Sequence, residues 1–254
     1  MQIKTTVLAV SLALAMPAVV AAAETPTHAF TGNVGVFSNY LFRGVSQTSK
    51  EPALQGGFDY AHASGFYAGI WGSNISWLSD LALYTGSSLE LDVYGGYKGS
   101  FGGDFGYDVG AIYYYYPGKK LPGVISANTA EIYGALSWKW LSAKLSYSTT
   151  DYFGYAKSDG STYVDLSATY PIGETGVSVL GHVGFLKIEG SPGGVSNDKL
   201  FGYNDWKVGA TYALPKDFTV GAYYSDTDAV KASYTVNSKN WAGGQVVAYL
   251  QKTF

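Results

Sequence analysis

Apolar and polar residues alternate along most of the chain with a period of two, which is the spacing of a β-strand with one apolar and one polar face. In the segment SLELDVYGGYKG, Leu89, Leu91 and Val93 share one face, whereas Glu90 and Asp92 share the other. The same pattern recurs in TAEIYGALSWKW, TYVDLSATYP and NDWKVGATYAL. Helical periodicity is nearly absent, so the pattern predicts an all-β protein.

The alternation predicts about twelve strands. We expect them to begin near Thr31, Pro52, Gly65, Ser88, Asp104, Asn128, Leu141, Ser161, Thr175, Asn204, Asp217 and Trp241. Short connections rich in Gly, Pro and Asp alternate with longer polar ones. An even strand number with this alternation is typical of a transmembrane antiparallel up-and-down β-barrel, with short periplasmic turns and longer extracellular loops.

The beginning of the chain predicts export. Lys4 provides a positive charge, residues 7–21 form an apolar run, and residues 21–23 form a small-residue cleavage site. We therefore expect residues 1–23 to be a cleaved signal peptide and residues 24–254 to form a single outer-membrane barrel domain. A retained N-terminal anchor is the alternative, but the apolar run is short for a membrane helix.

The composition of the chain also favours a barrel. Of the 254 residues, 33 are Gly and 23 are Tyr, and only 14% are charged, against a usual charged share of about 25%. We expect glycine to make room for tyrosine from neighbouring strands. The chain has no Cys, so it would fold without disulfides. A net charge of −3 gives no indication of nucleic-acid binding.

The two faces of the strands predict two environments. Aromatic residues such as Trp138, Trp140 and Tyr170 end the apolar faces, as expected for girdles in contact with outer-membrane lipid. The alternative is the aromatic core of a soluble sandwich, whose connections need not alternate in length. The opposite face would line the lumen. The candidate lumen-lining residues are Arg43, Asp59, Glu90, Asp92, Asp108, Glu131, Lys139, Lys144, Asp165, His182, Asp205 and Lys207.

Arg43 follows two large apolar residues, Leu41 and Phe42, near the end of the first predicted strand. Strand parity places Tyr40 and Phe42 on the lipid face and Arg43 in the lumen, near its extracellular mouth. There Arg43 could meet a carboxylate such as Asp59 on the adjacent strand, whereas at mid-bilayer it would cost about 2–4 kcal/mol. We expect Arg43 mainly to tie strands together, with ion selection as the alternative.

The sequence predicts neither a catalytic site nor a metal or cofactor site. His28 precedes the first predicted strand, His62 lies beside a periplasmic turn and His182 faces the lumen, so the histidines are scattered. Glu90 and Asp92 could do acid–base work or hold Ca²⁺, but pairing with a lumenal Lys or Arg is the favoured interpretation. We therefore do not expect an enzyme, and a membrane-embedded hydrolase is a remote alternative.

Several segments resemble those of a known family. NVGVFSNYLFRGVSQT, followed by PALQGGFDYAHASGFYAGIWGSNISWL, is similar to the N-terminal signature of proteobacterial exported proteins labelled TorF-type porins. The segments ELDVYGGYKG, 108–117 and the final KTF also fit, so the resemblance covers essentially the whole mature chain. It implies a barrel with a transport role and supplies no catalytic or ligand-binding residues.

The end of the chain and its charged lumen complete the functional prediction. A last strand ending in Phe254 resembles the signal that outer-membrane proteins present to the barrel-assembly machinery, although Lys252 departs from that signal. We expect a narrow channel for passive passage of small polar solutes or ions in the outer membrane of a Gram-negative bacterium. A closed barrel with a structural or loop-mediated binding role is the alternative.

Overall fold

The computed structural model describes residues 27–254. Within this range, twelve long antiparallel strands form one closed barrel, in which each strand pairs with its neighbours in the sequence. This confirms the predicted barrel. The strands are β1 (His28–Phe37), β2 (Ala53–His62), β3 (Phe66–Asn74), β4 (Leu89–Phe101), β5 (Phe105–Tyr115), β6 (Thr129–Trp138), β7 (Leu141–Ser148), β8 (Thr162–Pro171), β9 (Val177–Lys187), β10 (Tyr203–Leu214), β11 (Phe218–Thr227) and β12 (Gln245–Thr253). The expected signal peptide, residues 1–23, lies outside the described residues.

The barrel closes where the first strand meets the last. β1 pairs with β12 over Asn33–Phe37 and with β2 over its whole length. Each barrel strand therefore has backbone partners on both sides, which removes exposed sheet edges.

Short and long connections alternate around the barrel, as predicted. The short ones are residues 63–65, 102–104, 139–140, 172–176 and 215–217. The long ones are residues 38–52, 75–88, 116–128, 149–161, 188–202 and 228–244. We call the two ends of the barrel the turn end and the loop end.

The long connections contain small elements of regular structure. The helices are α1 (Trp77–Asp80) and α2 (Asn197–Phe201), and the 3₁₀ turns are Pro192–Gly194 and Lys231–Tyr234, with a third, Pro215–Asp217, between β10 and β11. Two-residue ladders join Leu41–Phe42 to Val45–Ser46, Tyr84–Thr85 to Lys119–Lys120, and Thr235–Val236 to Lys239–Asn240. Among the described residues, no helix is both long and apolar enough to cross a membrane.

The outer surface of the barrel is an apolar belt between two aromatic rims. Exposed aliphatic side chains form the belt: Val34, Val36, Leu54, Ile70, Val93, Val109, Ile132, Leu136, Leu145, Val208 and Val246. The aromatic residues toward the turn end are Phe30, Phe66, Phe101, Phe105, Trp138, Trp140, Tyr170 and Tyr212. Those toward the loop end are Tyr113, Tyr115, Tyr147, Phe185, Trp206 and Tyr224. The outer face therefore has the predicted pattern of interfacial girdles.

Two strand boundaries differ from the prediction. β1 begins at His28, which is thus part of the barrel and not of a preceding tail. β12 begins at Gln245, later than the expected start near Trp241. Trp241 is only 4% exposed and packs in a buried cluster of the loops, so it belongs to the interior of the loop end.

Candidate functional site

Side chains from the long loops fill the loop end of the lumen. Two buried clusters lie on facing walls, one against β3 and β5 and the other against β8, β9 and β10. Trp77 of α1 and Phe153 of the 149–161 loop pack against both clusters and so bridge the walls. We call this assembly the loop-end plug. Its buried members are Tyr40, Ala53, Trp71, Ile75, Leu78, Tyr84, Ile112, Tyr114, Tyr116, Ala127, Val45, Tyr152, Tyr163, Leu186, Ile188, Tyr203, Tyr234, Trp241 and Ala242.

Arg43 lies in the loop-end plug because the 38–52 loop folds into the barrel. It sits at the turn between Leu41–Phe42 and Val45–Ser46, with a left-handed backbone at φ 49°. The next residue, Gly44, also has positive φ, and an added Cβ there would lie 2.7 Å from Thr227. A glycine is therefore required for the loop to turn against the barrel wall.

The carboxylate that pairs with Arg43 is Glu131 of β6, on the far wall of the lumen. Arg43 Nη1 lies 2.9 Å from Oε1 and Nη2 lies 2.8 Å from Oε2, a bidentate pair with side chains 7% and 2% exposed. Nη1 also donates to the Tyr152 hydroxyl at 3.0 Å, and the guanidinium lies 4.4 Å from the ring centre of Tyr163. Burial opposes the charge of Arg43, but Glu131 holds its pKa above the usual range.

The expected partner of Arg43, Asp59, instead accepts a hydrogen bond from Tyr94 at 2.6 Å. The strand-parity assignment of Tyr40 and Phe42 to the lipid face is also wrong. Because β1 ends at Phe37 and the chain then turns inward, the parity of β1 no longer applies. Tyr40 is buried in the loop-end plug. Phe42 packs against the plug, with its ring edge-on to the ring of Tyr114.

Glu90 and Asp92 lie on the lumen face of β4 and are each 1% exposed. Glu90 accepts a hydrogen bond from the Tyr40 hydroxyl at 2.8 Å. Neither carboxylate oxygen of Asp92 has a hydrogen-bond partner in the described part of the chain. The expected pairing of these two acids with Lys or Arg is wrong, because the one arginine in the plug is held by Glu131.

A second polar cluster joins β8, β9 and β10 around His182. Its Nδ1 lies 3.0 Å from Asp165 Oδ2 and its Nε2 lies 2.8 Å from Asp205 Oδ1. Tyr163 donates to Asp205 at 2.8 Å and Ser167 donates to Asp165 at 2.6 Å. An ionised carboxylate only accepts hydrogen bonds, so this geometry favours an imidazolium with a proton on each ring nitrogen.

Tyrosines and lysines cover much of the remaining lumen wall. Tyr67 donates to Asp108 at 2.6 Å. The ammonium group of Lys144 lies 4.0 Å from the ring centre of Tyr133, and that of Lys207 lies 5.3 Å from the ring centre of Tyr223. These residues are only partly buried, unlike the members of the loop-end plug.

The predicted packing of tyrosine over glycine occurs between directly paired residues. Gly69 faces Tyr94 across β3 and β4, and an added Cβ at Gly69 would lie 2.5 Å from Tyr94 Cζ. Gly110 likewise faces Tyr133 across β5 and β6, with an added Cβ 2.6 Å from the Tyr133 hydroxyl. Glycine is therefore required because the ring of the opposite tyrosine occupies the space of a side chain.

One predicted lumen residue is not in the lumen. Lys139 lies in the tight turn between β6 and β7, has positive φ and pairs with Asp104 at 3.7 Å. The two side chains are 50% and 58% exposed. The alternation of β6 ends at Trp138. The assignment of Lys139 to the lumen is therefore wrong, because the polar face of β6 does not continue into the turn.

Two residues that contact the Arg43 guanidinium, Tyr163 and Tyr152, were not among the predicted lumen residues. Tyr163 shares the lumen face of β8 with Asp165, so extending that face by one position toward the loop would have found it. Tyr152 lies in an irregular loop, where period-two alternation gives no signal.

Sequence comparison assigns the chain to a family. A family model described as "Bacterial protein of unknown function (Gcw_chp)" matches residues 21–254. The chain belongs to the Gcw_chp family. The TorF-type label stays a prediction. No curated protein is significantly similar in sequence to this Gcw_chp chain.

Solved porin structures have a similar fold. The "KdgM porin" is 10% identical, with 88% of this chain and 99% of that chain covered at a TM-score of 0.53. The NanC porin is 13% identical, with 89% and 98% covered at 0.53. A structure of the "KdgM porin in complex with disordered oligogalacturonate" is 9% identical, with 89% and 98% covered at 0.51. At these identities the similarity shows a porin-like barrel fold.

Proposed function

We propose that this protein is a porin-type channel of the outer membrane, through which small polar solutes or ions pass when the loop-end plug is displaced. The partly buried charges and tyrosines between the plug and the turn end support a hydrated lumen there. Nearly full coverage of the KdgM and NanC porins supports the same class of barrel. Of the predicted lumen-lining residues, the partly buried Asp59, Asp108, Lys144 and Lys207 would contact the solute.

The pair between Arg43 and Glu131 is the observation that supports a gated passage. It connects the 38–52 loop to the opposite wall at β6, directly across the path along the barrel axis. A solute that enters from the turn end would meet this pair and the aromatic side chains around it. Conduction therefore requires the loop to move or its contacts to break.

Planar-bilayer recording tests this proposal. We expect the wild-type barrel to show rare or small conductance steps, and Arg43→Ala/Glu131→Ala to show larger and more frequent ones. The double replacement removes the pair without leaving one buried charge unpartnered. Asp104→Asn, on the exposed turn, is the matched control and should behave as wild type.

A closed barrel with a structural or binding role is the second candidate. The observation that favours it is the depth of burial in the loop-end plug, where Leu78 is 0% exposed and Tyr116 is 3% exposed. If correctly folded wild-type and double-variant barrels both fail to conduct, the closed barrel replaces the channel.

The outer membrane of a Gram-negative bacterium is the proposed location, with lipid around the apolar belt. The exposed aliphatic side chains between two aromatic rims support it. Phe254, which is 71% exposed beyond β12, is the proposed signal to the barrel-assembly machinery. Unheated protein should migrate differently from boiled protein in electrophoresis and should be found in the outer-membrane fraction. Equal migration and detergent-free solubility would contradict this location.

We propose no catalytic activity. The contact between Ser167 and His182 resembles part of a nucleophile–base pair, but the Ser167 hydroxyl donates to Asp165, and both nitrogens of His182 face carboxylates. An imidazolium held in this way cannot accept the proton of a serine. Lipid or peptide hydrolysis that is lost in His182→Ala would contradict this proposal.

A further inference from the structure

Asp92 is a buried carboxylate that has no partner in the described part of the protein. Its side chain is 1% exposed, and both Oδ atoms lack a hydrogen bond. The charged groups that act on it are the carboxylates of Glu90 and Glu131, which are also acidic. An ionised carboxylate is not stable in such a place, so Asp92 must hold either a proton or a cation.

Glu90 is placed to share a cation with Asp92. The two residues are two positions apart on the same face of β4, so their Cα atoms are about 7 Å apart and their side chains can converge on one point. Glu90 accepts hydrogen bonds from the Tyr40 hydroxyl at 2.8 Å and from Tyr116, and a carboxylate with about four acceptor sites can still bind a ligand. Glu131 is not available, because Arg43 binds both of its oxygens.

The charges around these residues favour a divalent ion. Arg43 neutralises Glu131, whereas Lys144 and Lys207 lie against tyrosine rings elsewhere in the lumen. Glu90 and Asp92 therefore keep two negative charges when they are ionised. Carboxylate oxygens are the ligands that hard divalent cations prefer.

We propose that Glu90 and Asp92 bind a hard divalent cation, Mg²⁺ or Ca²⁺, inside the loop-end plug. Residues 27–254 contain no group of three or more His, Cys, Asp or Glu side chains arranged to hold a metal. The protein thus supplies two carboxylates and water completes the shell, a coordination that is common for Mg²⁺. Through Tyr40, which donates to Glu90, the ion fastens the 38–52 loop to the β4 wall. Binding does not depend on whether the barrel conducts.

Thermal unfolding tests the site. Barrels in a non-ionic detergent are treated with EDTA, dialysed, and unfolded with MgCl₂, with CaCl₂, or with NaCl at the same ionic strength. We expect one or both divalent salts to raise the unfolding midpoint of the wild type progressively with concentration, as a ligand of the folded state does. The concentration needed should rise roughly tenfold or more in Asp92→Asn, which is equivalent to about 1.4 kcal/mol.

Asp108→Asn is the matched control, because Asp108 is a lumen carboxylate that already accepts a hydrogen bond from Tyr67. It should keep the wild-type response to both salts. Comparison of the two chloride salts identifies which ion the site prefers.

Three results would overturn the proposal. The first is a wild-type midpoint that moves no more with divalent salts than with NaCl, in which case Asp92 holds a proton. The second is an equal response in Asp92→Asn, which places the cation elsewhere. The third applies if Asp92→Asn does not fold. Equilibrium dialysis then measures the metal bound per barrel in the wild type and in Glu90→Gln. Equal amounts of bound metal in the two proteins would contradict the site.

Discussion

Arg43 and Glu131 face each other across the lumen and form two parallel hydrogen bonds of 2.9 and 2.8 Å. The guanidinium comes from a loop between β1 and β2, and the carboxylate comes from β6. Tyr152, from the 149–161 loop, accepts a third hydrogen bond from the same guanidinium. Arg43 therefore connects its own loop both to β6 on the opposite wall and to the 149–161 loop.

Removal of Arg43 alone should destabilise the barrel. In Arg43→Ala, Glu131 stays buried without its counter-charge, and we expect the free energy of unfolding to fall by about 3–5 kcal/mol. Arg43→Ala/Glu131→Ala should lose less than the sum of the two single variants, because no charge is left unpartnered. Urea unfolding in detergent micelles measures all four proteins. Additive losses would mean that the pair does not couple the loop to β6.

Glycine beneath a tyrosine should not tolerate a methyl group. Gly69→Ala places a Cβ against the Tyr94 ring, and we expect a loss of about 1–3 kcal/mol from overpacking. Gly134 is the matched control, since an added Cβ there meets nothing within 4 Å. Gly134→Ala should therefore be neutral or slightly stabilising in the same urea unfolding experiment. A Gly69→Ala barrel as stable as wild type would show that the tyrosine moves aside freely.

His182 should be doubly protonated at neutral pH, because each ring nitrogen faces a carboxylate oxygen. Nitrogen-15 NMR of ring-labelled protein should show two protonated nitrogens for the resonance that disappears in His182→Ala. The exposed residues His28 and His62 supply internal controls in the same spectrum. A single protonated nitrogen would mean that one of the two carboxylates carries the proton.

His182→Ala should also lower the free energy of unfolding. It leaves the buried Asp205 and the partly buried Asp165 on either side of an empty position, and we expect a loss of about 3 kcal/mol. His182→Ala/Asp205→Asn should recover part of this loss, because it removes one of the two stranded charges. No recovery would indicate that packing, and not charge, is what His182 provides.

The exposed pair between Lys139 and Asp104 should contribute little. At 3.7 Å and with both side chains about half exposed, it is a surface ion pair in water. We expect Asp104→Asn to change the free energy of unfolding by less than about 0.5 kcal/mol. A loss comparable to that of Arg43→Ala would contradict the placement of this pair at the solvent-exposed turn.

The period-two alternation was sufficient for the barrel because alternation is a local property. Each strand must present apolar groups outward and polar groups inward, so the pattern in a segment such as β4 is readable without knowledge of its neighbours. In β4, for example, Glu90 and Asp92 are buried, whereas Leu91 and Val93 are exposed. The pattern failed at Lys139, Tyr40 and Phe42, all of which lie beyond the end of a strand, where side chains no longer alternate.

The sequence by itself determined the all-β class, the number of strands, the alternation of turns with loops and the faces of the strands, because these depend on residues that are neighbours along the chain. Only the tertiary structure decided that Arg43 pairs with Glu131 and not with Asp59, and that Asp92 has no partner. These outcomes depend on how far a long loop folds into the lumen, which is set by packing between residues far apart in the chain. The stretch NYLFRGV is therefore the inward turn of a plug and not the continuation of a strand.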